Sequence, residues 1–234
     1  TSATTVSGSG LDRILVSGSS GNLGFGTTVL TGGTNGVSLT GNPGGLRQFG
    51  ALTIQGAGAA GIGYANGGAL SVAGVTNVIS PAGPGLDLQG ATAAVGFGPT
   101  SITSPGSVGI NIQGATALVS FGPTTVAKPS AGTGVSLTSN PSAPSFASLS
   151  VTTANGPALV VTNSGLANGP GGSLNATGGP AVSASGVNFA STFDGTTSTN
   201  SSTQGLSLTN CSGTLALGGG SIGGSAGAGV LVSG

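Results

Sequence analysis

Leu86-Asp87-Leu88-Gln89-Gly90-Ala91-Thr92-Ala93-Ala94-Val95-Gly96-Phe97-Gly98-Pro99-Thr100 has a second version of itself, Ile110-Asn111-Ile112-Gln113-Gly114-Ala115-Thr116-Ala117-Leu118-Val119-Ser120-Phe121-Gly122-Pro123-Thr124, beginning 24 residues later. A fixed period of that size marks a repeat architecture, in which each unit buries its apolar face only by stacking on its neighbours. The head of the unit is apolar, any residue, apolar, any residue, then Gly, Asn or Ser. That pattern reads as a half-buried strand closed by a residue that tolerates positive φ.

The same head recurs ten times, starting at Ile14, Val37, Ile62, Leu86, Ile110, Val135, Leu159, Val182, Leu206 and Val230. Successive starts are 23 to 25 residues apart. Eleven residues into the unit lies an aromatic column, Phe25, Phe97, Phe121, Phe146 and Phe193, with Phe49 one residue late and Leu217 in the last full unit. Sixteen residues in lies an aliphatic column, Leu30, Val78, Ile102, Val126, Val151 and Ile222, with Ile54 one residue late. Each unit therefore supplies three short apolar segments. The unit from Leu159 fits least well, with Pro170 in the aromatic column and a loop expected at Gly169–Gly172. The unit from Val182 has Ser198 in the aliphatic column, inside the polar run Thr196–Gln204, where a bulge or loop is expected.

Composition narrows the class further. The 234 residues include 50 Gly, 12 Pro, no His, Trp or Met and 3% charged residues, with zero net charge and a mean hydropathy of +0.39. Disordered chains combine low hydropathy with high net charge, so this chain is expected to fold. Gly, Pro, Ser, Thr and Val dominate without a sustained 3.6-residue period, which argues against helix. No run of about 18 apolar residues is present to cross a membrane as a helix. The single Cys211 cannot form an internal disulfide and follows the Asn210 corner, where other units place Ser19, Ala91, Ala115 and Ser164, so a small filler role is expected.

Strands separated by Gly, Asn and Pro corners, with equivalent strands lying side by side, make an all-β parallel β-helix solenoid. It has about ten coils of about 24 residues and three short strands per coil. We read 1–234 as one domain, with 1–13 a partial N-terminal coil, 159–205 less regular coils with longer loops and 206–234 the C-terminal coils. Parallel crossovers are overwhelmingly right-handed, so a right-handed coil is expected. In period and corner chemistry the chain resembles the right-handed parallel β-helix (pectin-lyase-like) superfamily, which includes pectate lyases, phage tailspikes and bacterial surface proteins. Its character is most similar to that of secreted bacterial adhesin and fibre repeat proteins.

Enzymes of that superfamily that cleave acidic polysaccharide use clustered carboxylates, often with calcium, and basic side chains. Here the acids are Asp12, Asp87 and Asp194, and the bases Arg13, Arg47 and Lys128. They fall in different units and at different phases of the period, while paired carboxylates must lie within about 5–10 Å. Asp12 and Arg13 are adjacent and read as a local surface pair. Without His, with one Cys and scattered Asp, neither a metal site nor a Ser-His-Asp relay is expected. Gly218-Gly219-Gly220 lacks the Lys and helix of a phosphate loop. Three cations cannot neutralise a nucleic-acid backbone. Asn175, Asn200 and Asn210 head Asn-x-Ser/Thr sequons that a chain so rich in Ser and Thr produces by chance.

The expectation is a structural protein with no catalytic, cofactor or metal site. It would act outside the cell or at its surface, as a filament subunit or adhesin stalk. The alternative is a glycan- or ice-binding module using the outward Thr40, Thr138, Thr162 and Thr209, a column that Gln89, Gln113 and Ala65 interrupt. The chain opens on Thr1-Ser2-Ala3 without Met, which suits a processed, exported product. Val6 falls at the phase of the aliphatic column, and Val230 to Gly234 is a lone first strand. A head-to-tail homopolymer is therefore expected, with Val6, Ile14, Val16, Ile222, Val230 and Val232 at the subunit contact.

Overall fold

The computed structural model describes residues 4–8 and 10–234. Thr1–Ala3 and Ser9, which belong to the expected partial first coil, lie outside the described residues. The chain winds as a parallel β-solenoid of about ten coils, with no helix among the described residues.

The ten heads form one ten-stranded parallel sheet. Ile14, Val37, Ile62, Leu86, Ile110, Val135, Leu159, Val182, Leu206 and Val230 pair in sequence, each directly on the next. The two apolar residues of each head face inward and the residue between them faces out. In the coil of Leu86–Gln89, for example, Leu86 and Leu88 are fully buried while Asp87 and Gln89 are half-buried. A slip of one residue would turn every such pair outward, so burial fixes the register. The corner that closes each head holds positive φ, between 48 and 66°, at Gly18, Gly41, Asn66, Gly90, Gly114, Ser139, Asn163, Gly186 and Asn210. Gly and Asn reach this region at little steric cost, which is why they recur there.

The second and third segments make a sixteen-stranded sheet. In the early coils they are separate strands, such as Val95–Phe97 and Thr100–Thr103. From Val119 onward three coils merge them into continuous strands, Val119–Lys128, Ser145–Ala154 and Asn188–Thr199. The last of these corrects part of the expectation of a loop at Thr196–Gln204, because Thr196–Thr199 is strand, while Asn200–Gln204 is a loop that buries Ser201. Two interior hydroxyls there find acceptors within the coil, Ser198 Oγ donating to the Gly179 carbonyl at 2.9 Å and Ser201 Oγ to that of Gln204 at 2.7 Å, while the buried Thr196 Oγ1 has no partner. Polarity therefore does not expel the segment. Gly169–Gly172 is a loop between strands Gly165–Asn168 and Ser173–Thr177.

Candidate functional site

Inside the coil the aromatic column divides into two stacks. Phe97, Phe121 and Phe146 pair in register, with ring centroids 5.0 and 4.8 Å apart and planes within 9°. Phe25 and Phe49 form a second pair at 4.7 Å. Val72 separates the two, pairing with both Phe49 and Phe97. Beyond Phe146 the ladder runs through Asn168 and Ser191. Phe193 does not continue it. In the coil of Leu159 the second strand begins early, at Gly165, and Asn188 pairs with it in the next coil, so Phe193 falls two residues past the ladder and pairs with Leu217, though fully buried.

Two basic residues lie inside the wall. Arg47 occupies the inward ladder position held by Leu23 and Leu70 in the adjacent coils and is fully buried. Its guanidinium donates to the carbonyls of Ser19, Gly44 and Gly45, while Nε has no partner. Tyr64 packs nearby and donates to the Gly68 carbonyl at 2.7 Å; burial pushes its phenol above the ordinary value. Gly68 is required for this arrangement, since a Cβ there would lie 2.6 Å from Arg47 Nη1. Lys128 is the second interior cation. Its Nζ donates to the Pro105 carbonyl at 3.0 Å and to Ser130 Oγ at 2.9 Å, and desolvation holds its pKa below the ordinary range. Sequence reading missed both orientations although a signal was present. Arg47 stands two residues before inward Phe49, and Lys128 two residues after inward Val126, on the same face of their strands.

The carboxylates do not converge. Asp87 and Asp194 are four coils apart, roughly 19 Å along the axis at strand spacing, well beyond the reach of an acid–base pair. Asp194 accepts from the Gly171 amide at 3.3 Å. Asp12 accepts from the backbone and side-chain amides of Asn35, both at 2.9 Å, instead of pairing with Arg13, whose guanidinium donates to the Leu11 carbonyl at 3.0 Å. Among the described residues no group of three or more His, Cys, Asp or Glu gathers. Cys211 is half-buried, its thiol 3.4 Å from the Thr209 carbonyl. Asn200 and Asn210 are exposed at positive-φ corners, and Asn175 is half-buried within a strand.

Exposure of the heads differs between the central coils and the first and last ones. Val230 and Val232 are 54% and 69% exposed, whereas the equivalent Leu86 and Leu88 are fully buried. Ile14, Val6 and Ile222 are half-buried, and Val16 is buried beneath them. The outward position of the head carries Leu at both extremities, Leu15 (62% exposed) and Leu231 (37%). Between them it carries Ser38, Gly63, Asp87, Asn111, Ser136, Val160, Ser183 and Ser207. No protein family, curated protein or solved structure matches the chain significantly.

Proposed function

We propose that the protein is a structural β-solenoid of the cell exterior, a subunit of a filament or surface stalk whose copies stack head to tail. The observation that carries this reading is the ten-stranded parallel sheet that runs through every coil over a continuous apolar interior, on a chain with only 3% charged residues. Extending the solenoid register by one step sets Ile14 of a second copy on Val230, Leu15 on Leu231 and Val16 on Val232. The two outward leucines then cover each other on an otherwise mostly polar face. Strand edges with apolar surface behind them are templates for another chain, and a heterologous contact of this kind makes an open filament when its rotation does not close.

Magnitudes say how strong such a contact would be. Each apolar side chain fully covered contributes about 1.5–3 kcal/mol, while association costs an estimated ~4–15 kcal/mol. Leu15, Val230, Leu231 and Val232 are only 37–69% exposed, so covering them recovers about half of that each and reaches only the low end of the range; assembly should depend on concentration and not be irreversible. A rod with so little charge also offers little long-range repulsion against association.

Sedimentation velocity and negative-stain microscopy test the proposal. Rods should lengthen as concentration rises, and Val230→Lys with Val232→Lys should leave single short rods with unchanged far-UV circular dichroism. A wild-type chain that stays monomeric at high concentration, or a double variant that polymerises normally, overturns it.

A further inference from the structure

On the outer face of the ten-stranded sheet, small hydroxyl residues give way in two adjacent coils to longer polar side chains. Asp87 and Gln89 stand on one strand and Asn111 and Gln113 on the next, paired Asp87 on Asn111 and Gln89 on Gln113. Asp87 Oδ1 accepts from Gln89 Nε2 at 2.6 Å and from Asn111 Nδ2 at 2.9 Å. One carboxylate oxygen thus fixes two amides. Each keeps its carbonyl oxygen and a second N–H for another partner, and Asp87 keeps its other oxygen.

A groove of about 420 Å³ runs beside this cluster, and Asn111 belongs to both. Its remaining walls include Ser136, Thr133, Val108 and Gly132. Hydroxyl, amide, backbone and the aliphatic side chains of Val108 and Ala131 therefore meet in one shallow, open groove beside the sheet. The nearest cation, Lys128, lies behind the Gly132 wall, but its ammonium is buried and committed to the Pro105 carbonyl and Ser130 Oγ, while Arg13 lies three coils away from Asp87.

We propose that this groove and the Asp87–Gln89–Asn111 cluster form a binding site for a neutral oligosaccharide. Sugar hydroxyls donate and accept at once, which matches pre-oriented amides that offer both functions side by side. An anionic glycan or nucleic acid would meet the Asp87 carboxylate with no exposed cation in the groove to pair with its own charge. The hydrogen bonds to Asp87 hold the amides in place before binding, so less side-chain freedom is lost when a ligand arrives. The site goes beyond the structural role and does not depend on it, because a lone rod carries the complete cluster.

Monomeric protein on an array of neutral and acidic oligosaccharides, followed by saturation-transfer NMR with the best neutral oligosaccharide, tests the assignment. Binding should be confined to neutral glycans. Asn111→Ala should weaken it about tenfold, the loss of roughly one pair of hydrogen bonds, and Gln89→Ala should weaken it comparably. Ser207→Ala, four coils beyond Asn111 on the same face, should leave it unchanged. These positions face outward, so circular dichroism should not differ among the variants. The proposal is overturned if no neutral glycan binds above background, if acidic glycans bind preferentially, or if Asn111→Ala binds like wild type while remaining folded.

Discussion

The coils from Leu86 to Ala154 and those from Leu159 to Thr199 share one backbone ladder but fill it differently. In the first group Phe97, Phe121 and Phe146 stack as a continuous aromatic column. In the second the same ladder carries Asn168 and then Ser191, both buried. Asn168 Nδ2 donates to the Thr192 carbonyl at 2.7 Å, Ser191 Oγ donates to that of Leu166 at 3.0 Å, and Asn168 Oδ1 has no partner. The pairing stays parallel in both regions, interrupted at the Gly169–Gly172 loop, so main-chain hydrogen bonds hold most of the coil's path and the interior side chains set how firmly each coil holds its neighbours.

Removing the best-packed ring is the largest way to break this contrast. Phe121 stacks on both neighbours, and Phe121→Ala deletes two ring contacts and leaves a cavity. Phenylalanine-to-alanine changes in cores cost about 3–5 kcal/mol. Because a solenoid's cohesion is a sum of nearest-neighbour terms, amide exchange should accelerate most in strands Val95–Phe97, Val119–Lys128 and Ser145–Ala154. Uniform acceleration along the whole rod would show that the coils melt as one unit and that the local picture is wrong.

The complementary change repairs the weaker region. Asn168→Leu would remove a buried oxygen without a partner and place apolar surface against Phe146. Leaving such a group unsatisfied costs about 1–3 kcal/mol; the lost Nδ2 bond to Thr192 offsets part of the gain. A net stabilisation of roughly 1 kcal/mol is expected in denaturant titrations. A destabilised Asn168→Leu would mean that the Thr192 contact outweighs the unpaired oxygen.

These two regions also show where the sequence could be read. The heads were legible because every coil repeats the same five-residue pattern and a positive-φ corner resets its phase. The later segments were less so, since corners of unequal length let the phase drift. Leu174 pairs with Val151 one residue earlier than the period places it, and Phe193 lies two residues beyond its column. Arg47 and Lys128 escaped because they were weighed only as possible site residues scattered over the period, whereas strand alternation beside Phe49 and Val126 assigns both to the interior. The Asp87 cluster was visible only as an interruption of the Thr column. Its hydrogen bonds depend on pairing across coils, which spacing alone does not display.

The smallest expected effect comes from the corner at Lys128, where one coil departs from its neighbours. After the third strand the other central coils turn at a positive-φ residue, Ser80, Ser104 or Asn155. Here the strand runs on to Lys128, which pairs with buried Thr153 and whose ammonium ties Pro105 to Ser130. Burial lowers the folded-state pKa below the ordinary 10.5, so over the interval between the two values the unfolded chain binds more protons than the folded one. Stability must then rise with pH through that interval and lie at its lower plateau beneath it. Tyr64 acts in the opposite sense, since a phenol held above its ordinary 10.0 loses stability as pH climbs past that value. Comparing wild type with Lys128→Met cancels the tyrosine, which both proteins carry. Denaturant midpoints should show wild type gaining on the variant as pH increases from neutral toward 10.5. Parallel curves would mean that the ammonium is as well solvated in the folded coil as in the unfolded chain, and that the corner is held by Pro129 and backbone pairing without the buried charge.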